Sequence, residues 1–290
     1  MPRLPARRPR KLVETVQCDG YVRHLYRLTR EAGSLLPVHV LVPDQGRFNG
    51  RAVICPHGHG QDDKVVAGIA PPRRPYGNWF GPFTGNYAEL LAQNGFITAT
   101  WAERTLSHER KDTHRRGDPC NLAALSALAM SMTLPGLNLL DLHGVADLVC
   151  ALPGVRPGRL GLTGLSGGGT MTYLAGAYDD RFRACAVFCG IHSYARYVDG
   201  TDGCGQQIVP HLYPTLDVGE LLCLIAPRPL LLGQGRKDVT FDTFVLRRFA
   251  RQARRAYRLL GAGDALEVRI HDRAHQVDID AAADFFLRNL

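Results

Sequence analysis

The stretch Leu160-Gly-Leu-Thr-Gly-Leu-Ser-Gly-Gly-Gly-Thr170 carries an apolar run into a single serine, Ser166, and then into a segment of helical character up to Tyr178. Gly164 and Gly168 stand two residues to either side of the serine. This is G-x-S-x-G in a strand–turn–helix setting. A serine on so sharp a turn is strained and stands clear of the sheet, and a Cβ at either flanking glycine would strike the adjoining strand or helix. The helix start behind Ser166 offers unpaired backbone N–H groups to a developing oxyanion. The pattern also suits a Gly-rich phosphate loop or a plain strand–helix turn. A nucleophile therefore needs a base, an acid and an oxyanion donor elsewhere in the chain.

Such partners are sought just past predicted strands, because open parallel sheets gather their sites beyond the carboxyl ends of the strands. The strand Pro229–Gly233 runs into Gln234-Gly-Arg-Lys-Asp238, and Leu266–Ile270 runs into His271-Asp-Arg-Ala-His275. The chain order is then Ser166, Asp238, His275. His275 would be the general base, and Asp238 would fix its tautomer and stabilise the imidazolium. His271 is the rival base, but it sits at the strand end, where a side chain tends to point along the sheet. Asp242 is a rival acid that reads better as helix-start charge, and Asp199 and Asp202 are weaker rivals. Gly167 would donate one oxyanion N–H. The other would come from Gly58 or His59, in the loop His57-Gly-His-Gly60 that follows the strand Arg51–Pro56. His57 and His59 also suit a metal, but no third ligand with convincing spacing follows, so neither a metal nor a cofactor is expected.

The elements that must position these residues follow from periodicity. Tyr21–Leu28 and Leu35–Pro43 alternate as a β-hairpin. Strands at Arg51–Pro56, Phe96–Trp101, Arg159–Leu165, Ala184–Phe188, Pro229–Gly233 and Leu266–Ile270 are interleaved with helices at Tyr87–Asn94, Thr170–Tyr178, Phe241–Leu260 and Val277–Leu287. Glu103–Asn121 reads as irregular. Leu122–Leu152 is apolar-periodic and broken at Pro135-Gly136, which predicts two helices, the second near Leu137–Leu152. The alternation predicts an α/β chain with a mostly parallel central sheet, helices on both faces and N-terminal antiparallel hairpin strands. Residues 1–15 read as a basic disordered tail and 16–290 as a single domain with a lid-like insertion at 190–220. That insertion and Gln61–Asn86 would roof a pocket. Trp79, Phe80, Tyr194 and Tyr197 could line it, or could only pack the roof onto the body. Glu103-Arg104 could form a buried ion pair bracing the site.

A chain of 290 residues, 45% of them hydrophobic, can bury a large core. The net charge of +8 admits acidic partners, yet no nucleic-acid module is visible. The arginines at 247, 251, 254, 255 and 258 recur at helical spacing opposite Leu246, Phe249, Ala253, Ala256 and Leu260, as on an amphipathic surface helix. The eight cysteines include no C-x-x-C pair. Cys55, Cys150, Cys185 and Cys189 sit in apolar runs and read as buried free thiols of a cytoplasmic protein. Cys120 and Cys204 lie in polar surroundings, which leaves a disulfide between them open. No apolar stretch follows the basic N-terminus, which argues against a secretory signal or a membrane span.

The chain resembles the α/β-hydrolase superfamily, and within it the branch related to dienelactone hydrolases and acetyl-xylan esterases. The stretches that carry the resemblance are Pro56–Gly60, Gly164–Gly169, Cys204–Pro210, Leu224-Ile-Ala-Pro-Arg-Pro-Leu230 and Gly235–Asp238. The resemblance implies the α/β-hydrolase fold and a serine esterase without cofactor, acting through an acyl-enzyme on a small or carbohydrate ester of acetyl type. Dienelactone hydrolases proper use a cysteine nucleophile, where this chain has Ser166. Glucuronoyl esterases carry an arginine close after the nucleophile, where this chain has Gly167, Gly168 and Gly169. A serine peptidase of prolyl-oligopeptidase type and a non-catalytic binding protein that keeps the fold are the alternatives.

Overall fold

The central strands are apolar at consecutive positions, and their side chains alternate between two cores. Ala52 and Ile54 of β4 (Ala52–Ile54) face one core, and Val53 between them faces the other. In β7 (Phe182–Phe188), Phe182, Cys185 and Val187 join the first core, and Ala184, Ala186 and Phe188 the second. Such strands must be covered on both sides. The computed structural model describes residues 10–30, 33–59, 61–70, 85–104, 119–200 and 204–290.

Nine strands form one sheet. The others are β1 (Arg10–Gln17), β2 (Tyr21–Thr29), β3 (Leu35–Pro43), β5 (Ile97–Trp101), β6 (Leu160–Leu165), β8 (Leu230–Gly235) and β9 (Leu266–His271). Their order is β1-β2-β3-β5-β4-β6-β7-β8-β9. The first three strands and their junction with β5 are antiparallel, and from β5 to β9 every pairing is parallel. The hairpin expected at Tyr21–Pro43 is present with Tyr21 opposite Pro43. Residues 10–15, expected in a disordered tail, instead belong to the edge strand β1. Its side chains are almost all exposed, so it has no core pattern to reveal it, and ladder bonds to β2 hold it.

Helices α4 (Leu134–Cys150), α5 (Gly167–Tyr178), α7 (Val218–Cys223) and α8 (Thr243–Leu259) contribute Leu142, Tyr173, Leu221 and Phe249 to the first core. Helices α2 (Tyr87–Gln93) and α9 (Ile279–Asn289) contribute Leu91 and Phe286 to the second. The short helices α1 (Asp63–Val66) and α6 (Ala195–Val198) and the helix α3 (Pro119–Ala129) are the other α-helices among the described residues. The break in the apolar region lies before Leu134 rather than at Pro135-Gly136. Thr133 caps α4 by accepting from the Gly136 N–H, and Pro135 occupies the first turn, where its missing N–H costs nothing. Helix α3 starts at Pro119, so Cys120 and Asn121 are helical rather than irregular.

On α8, Leu246, Phe249 and Ala253 are buried as expected, but Ala250 and Tyr257 complete the buried face and Leu260 is exposed. Cys55, Cys185 and Cys189 are buried, whereas Cys150 is exposed. The Ile-Ala-Pro-Arg-Pro stretch is a brace: Arg228 donates from Nη1 to the carbonyls of Asp179 and Phe182, each at 3.0 Å, tying the end of α5 to the start of β7. No single described helix is long and apolar enough to cross a membrane, although α3 and α4 together, bent by 91°, pass that test by length and composition.

Candidate active site

Ser166 occupies the turn between β6 and α5, with φ 59° and ψ −119°. A non-glycine residue at positive φ is strained and is held there only by its surroundings. The holding contacts are visible. Ser166 N–H donates to Phe188 O at 2.9 Å, and Ser166 O accepts from Thr170 N–H at 3.0 Å. A Cβ on Gly164 would lie 2.3 Å from Gly168 O, and one on Gly168 would lie 2.1 Å from Pro56 O. The flanking glycines let the turn, the helix and the loop after β4 share one small volume. All three glycines after Ser166 are already helical, so α5 begins three residues earlier than expected. Its first N–H, that of Gly167, has no intrahelical acceptor by geometry.

The loop after β4 lies against this turn. A Cβ on Gly58 would come within 2.5 Å of Leu165 O and 2.9 Å of Ser166 Cβ. His57 is fully buried. Its Nδ1–H donates to Gly58 O at 3.0 Å and its Nε2 accepts from Glu103 N–H at 2.9 Å. Burial lowers its pKa, so the neutral ring is favoured. The Gly58 N–H turns toward Gln61 Oε1 at 3.4 Å. Gly60 lies outside the described residues.

Asp238 and His275 meet directly. His275 Nδ1 is 2.8 Å from Asp238 Oδ2, and the Asp238 side chain is fully buried. Burial alone would raise the Asp238 pKa, but the hydrogen bond and charge of His275 outweigh it, and the net shift is downward. Gln234 Nε2 donates to the same oxygen at 2.9 Å, and the N–H groups of Thr240 and Phe241 donate to Oδ1 at 2.8 and 3.3 Å. The Phe241 ring stacks on His275 at 5.7 Å and 13°. Cys189, one residue past β7, lies with Asp238 and His275 in a group whose Sγ, carboxylate and ring-nitrogen atoms are all within 4.8 Å. Its thiol donates to Gln276 O, and burial pushes its pKa up.

The topology aligns these groups. β6, β7, β8 and β9 are neighbours, so Ser166, Cys189, Asp238 and His275 follow the carboxyl ends of consecutive strands. The β7 end links them: Phe188 bonds Ser166, and the next residue, Cys189, reaches Asp238 and His275. His271 is not the partner of Asp238. Neither of its ring nitrogens has a hydrogen-bond partner among the described residues, and burial lowers its pKa. Asp242 caps α8, accepting from Phe244 N–H at 2.7 Å. Asp199 is the C-cap of α6. Asp202 lies outside the described residues, as do Trp79 and Phe80.

Tyr194 is buried in the first core. Its ring lies 5.7 Å from that of Tyr197 and 6.2 Å from His192, which in turn lies 5.7 Å from Phe241. Tyr197 hydrogen-bonds His192 Nε2 at 2.6 Å and also donates to Gln207 Oε1. These tyrosines thus sit in an aromatic cluster that ends on the ring stacked against His275. Asp217 ties the two ends of the 190–220 segment, accepting from Ser193 Oγ at 2.5 Å and Tyr194 N–H at 2.8 Å while capping α7.

Glu103 and Arg104 do not pair with each other. Arg104 makes a two-pronged bond to Asp141 at 2.8 and 2.9 Å, and Arg30 joins the same carboxylate at 3.0 Å. Glu103 instead accepts from Gln206 Nε2 at 3.1 Å. Gln234, Cys189 and Gln206 join the site without a role expected from sequence. Gln234 and Cys189 stand at strand ends, which is the only local signal they carry.

No family model matches the sequence. A relative from Bacillus subtilis (strain 168), YtaP, designated a hydrolase, is 27% identical over 157 residues, covering 53% of this chain and 52% of YtaP. The match thus spans about half the length of that relative. Among solved structures, a Bacteroides fragilis protein designated an acetyl xylan esterase superposes with a TM-score of 0.73 at 18% identity, over 92% of this chain and 70% of its own. A glucuronoyl esterase of Teredinibacter turnerae superposes with a TM-score of 0.71 at 17% identity, over 98% and 80%. With its nine-stranded sheet and the turn at Ser166, the chain has the α/β-hydrolase fold.

Proposed function

We propose that the chain is a serine hydrolase of carboxylic esters, acting on a small or carbohydrate ester of acetyl type. The observation that carries this reading is the buried Asp238–His275 pair at the strand ends beside the strained Ser166 turn. Ser166 Oγ attacks the ester carbonyl, and its proton passes to His275 Nε2. Asp238 holds Nδ1–H and stabilises the imidazolium. The oxyanion that forms is taken by the N–H groups of Gly167 and of the His57–His59 loop. Because the Gly58 N–H faces Gln61, His59 is the better donor of that loop. Collapse expels the alcohol, which takes the proton from His275, and leaves an acyl-Ser166. Water, deprotonated by His275, then releases the acid and restores Ser166.

The structural neighbours designated esterases support the ester over the amide as substrate. Hydrolysis of p-nitrophenyl acetate and butyrate by wild type and Ser166→Ala tests the reading. We expect the variant to lose roughly 10⁴-fold or more in kcat. Equal rates would end the serine-hydrolase reading, and turnover of amide substrates alone would favour the peptidase.

A further inference from the structure

We propose that His59, Cys120 and Cys204 form a binding site for one zinc ion beside the Ser166 turn. The three residues are far apart in sequence, yet the structure brings them together. His59 Nε2 lies 3.0 Å from Cys204 Sγ and 3.5 Å from Cys120 Sγ, and all three atoms lie within 4.8 Å of one another. Zn–S bonds of about 2.3 Å and Zn–N bonds of about 2.0 Å at tetrahedral angles put ligand atoms roughly 3.5–3.8 Å apart. The observed spacing is within a small side-chain rotation of that.

The donor set has the right chemistry. Two thiols and one imidazole favour zinc over the hard cations, which prefer oxygen. Of the H-x-H pair, only His59 is suitably placed, because both ring nitrogens of His57 are engaged by backbone groups. The missing ligands come from the first turn of α3 and from the residue before the turn Gly205–Gln207, which no sequence spacing connects to His59. Binding replaces the two thiol protons, so Zn²⁺ enters as two protons leave and the bis-thiolate site is neutral. The fourth tetrahedral position falls to water. A Cys120–Cys204 disulfide is the competing fate of the same thiols.

The ion would clip three segments together. Gly205 N–H donates to Asn121 Oδ1 at 2.7 Å, and a Cβ on Gly205 would lie 2.4 Å from Ala124 Cβ, so α3 and the 205–207 turn are already closely packed. Gln206 from that turn bonds Glu103 and lies against Gly167, as does His59 Nδ1. Zinc at Nε2 would fix the His59 ring over the start of α5.

The test uses the whole chain, reduced and stripped with a chelator, then titrated with Zn²⁺ against a chromogenic indicator and separately with Co²⁺. We expect one zinc per chain and a thiolate-to-cobalt charge-transfer band. Cys120→Ser and Cys204→Ser should each weaken zinc binding by at least about 100-fold and lose the band. Circular dichroism confirms that the variants are folded, and His59→Ala gives a third variant should a serine variant unfold. Ser166→Ala should bind zinc unchanged, which separates this site from the esterase reading. Uptake no greater than in the double cysteine variant overturns the proposal. So does a protein that, supplied with zinc, carries a Cys120–Cys204 disulfide, seen as the loss of two hydrogens in mass.

Discussion

The Nδ1 atom of His275 and the Oδ2 atom of Asp238 lie 2.8 Å apart, with the carboxylate fully buried and three further donors on its two oxygens. These donors stabilise the ionised acid in a setting where burial alone would neutralise it. Asp238→Asn keeps the shape but no longer dictates a proton on Nδ1. We expect kcat for p-nitrophenyl acetate to fall by roughly 10³–10⁴-fold with KM little changed. A loss below about tenfold would remove Asp238 from the mechanism.

Gly168 should be the least replaceable of the small residues at the turn. An added Cβ meets Pro56 O at 2.1 Å and Pro56 C at 2.8 Å, both backbone atoms that no rotamer change can move aside. Gly158 is the contrasting case, with φ +75° and no neighbour within 4 Å. Gly158→Ala should cost only the left-handed backbone penalty of about 1–2 kcal/mol. Gly168→Ala should cost more in thermal melts and also abolish ester hydrolysis. Equal melting points and equal activity in the two variants would show that the Pro56–Gly168 contact does not hold the turn.

Asp141 should matter to stability although it lies outside the reacting groups. It is fully buried and takes Arg30 and Arg104, whose side chains are 17% and 19% exposed. Asp141→Ala takes the shared carboxylate from two largely buried guanidinium groups. Urea unfolding should show a loss of about 3–5 kcal/mol. A loss under about 1 kcal/mol would mean that water reaches both arginines as readily as the carboxylate does.

The parts of this molecule that local patterning can encode were legible, and those made by contact across the sheet were not. Consecutive apolar positions announce the parallel strands, and Asp238 and His275 are legible because each stands just past one of them. β1 escaped because an exposed edge strand has no buried face to pattern. Arg104 lies one residue from Glu103, yet its partner Asp141 is on α4, 37 residues away. Cys120, Cys204 and His59 converge over separations of 61 and 145 residues. No spacing rule spans such distances.

Glu103 provides a test in pH. It is 1% exposed, and its carboxyl is raised well above the ordinary carboxylate range, first by desolvation and then by the charges of Asp141 and Cys120, against the opposing hydrogen bond from Gln206. A folded-state pKa above the unfolded value means that the folded protein holds this proton more tightly. Below the unfolded value, near pH 4.3, both states are protonated and stability is unaffected. Above it, the unfolded chain ionises first, so stability falls as pH rises toward the folded value. Glu103→Gln cannot ionise, and its amide oxygen can still accept from Gln206. The melting point of the variant relative to wild type should therefore climb from about pH 5 toward neutrality and stay level below about pH 4. A difference that does not change with pH would show that Glu103 titrates normally.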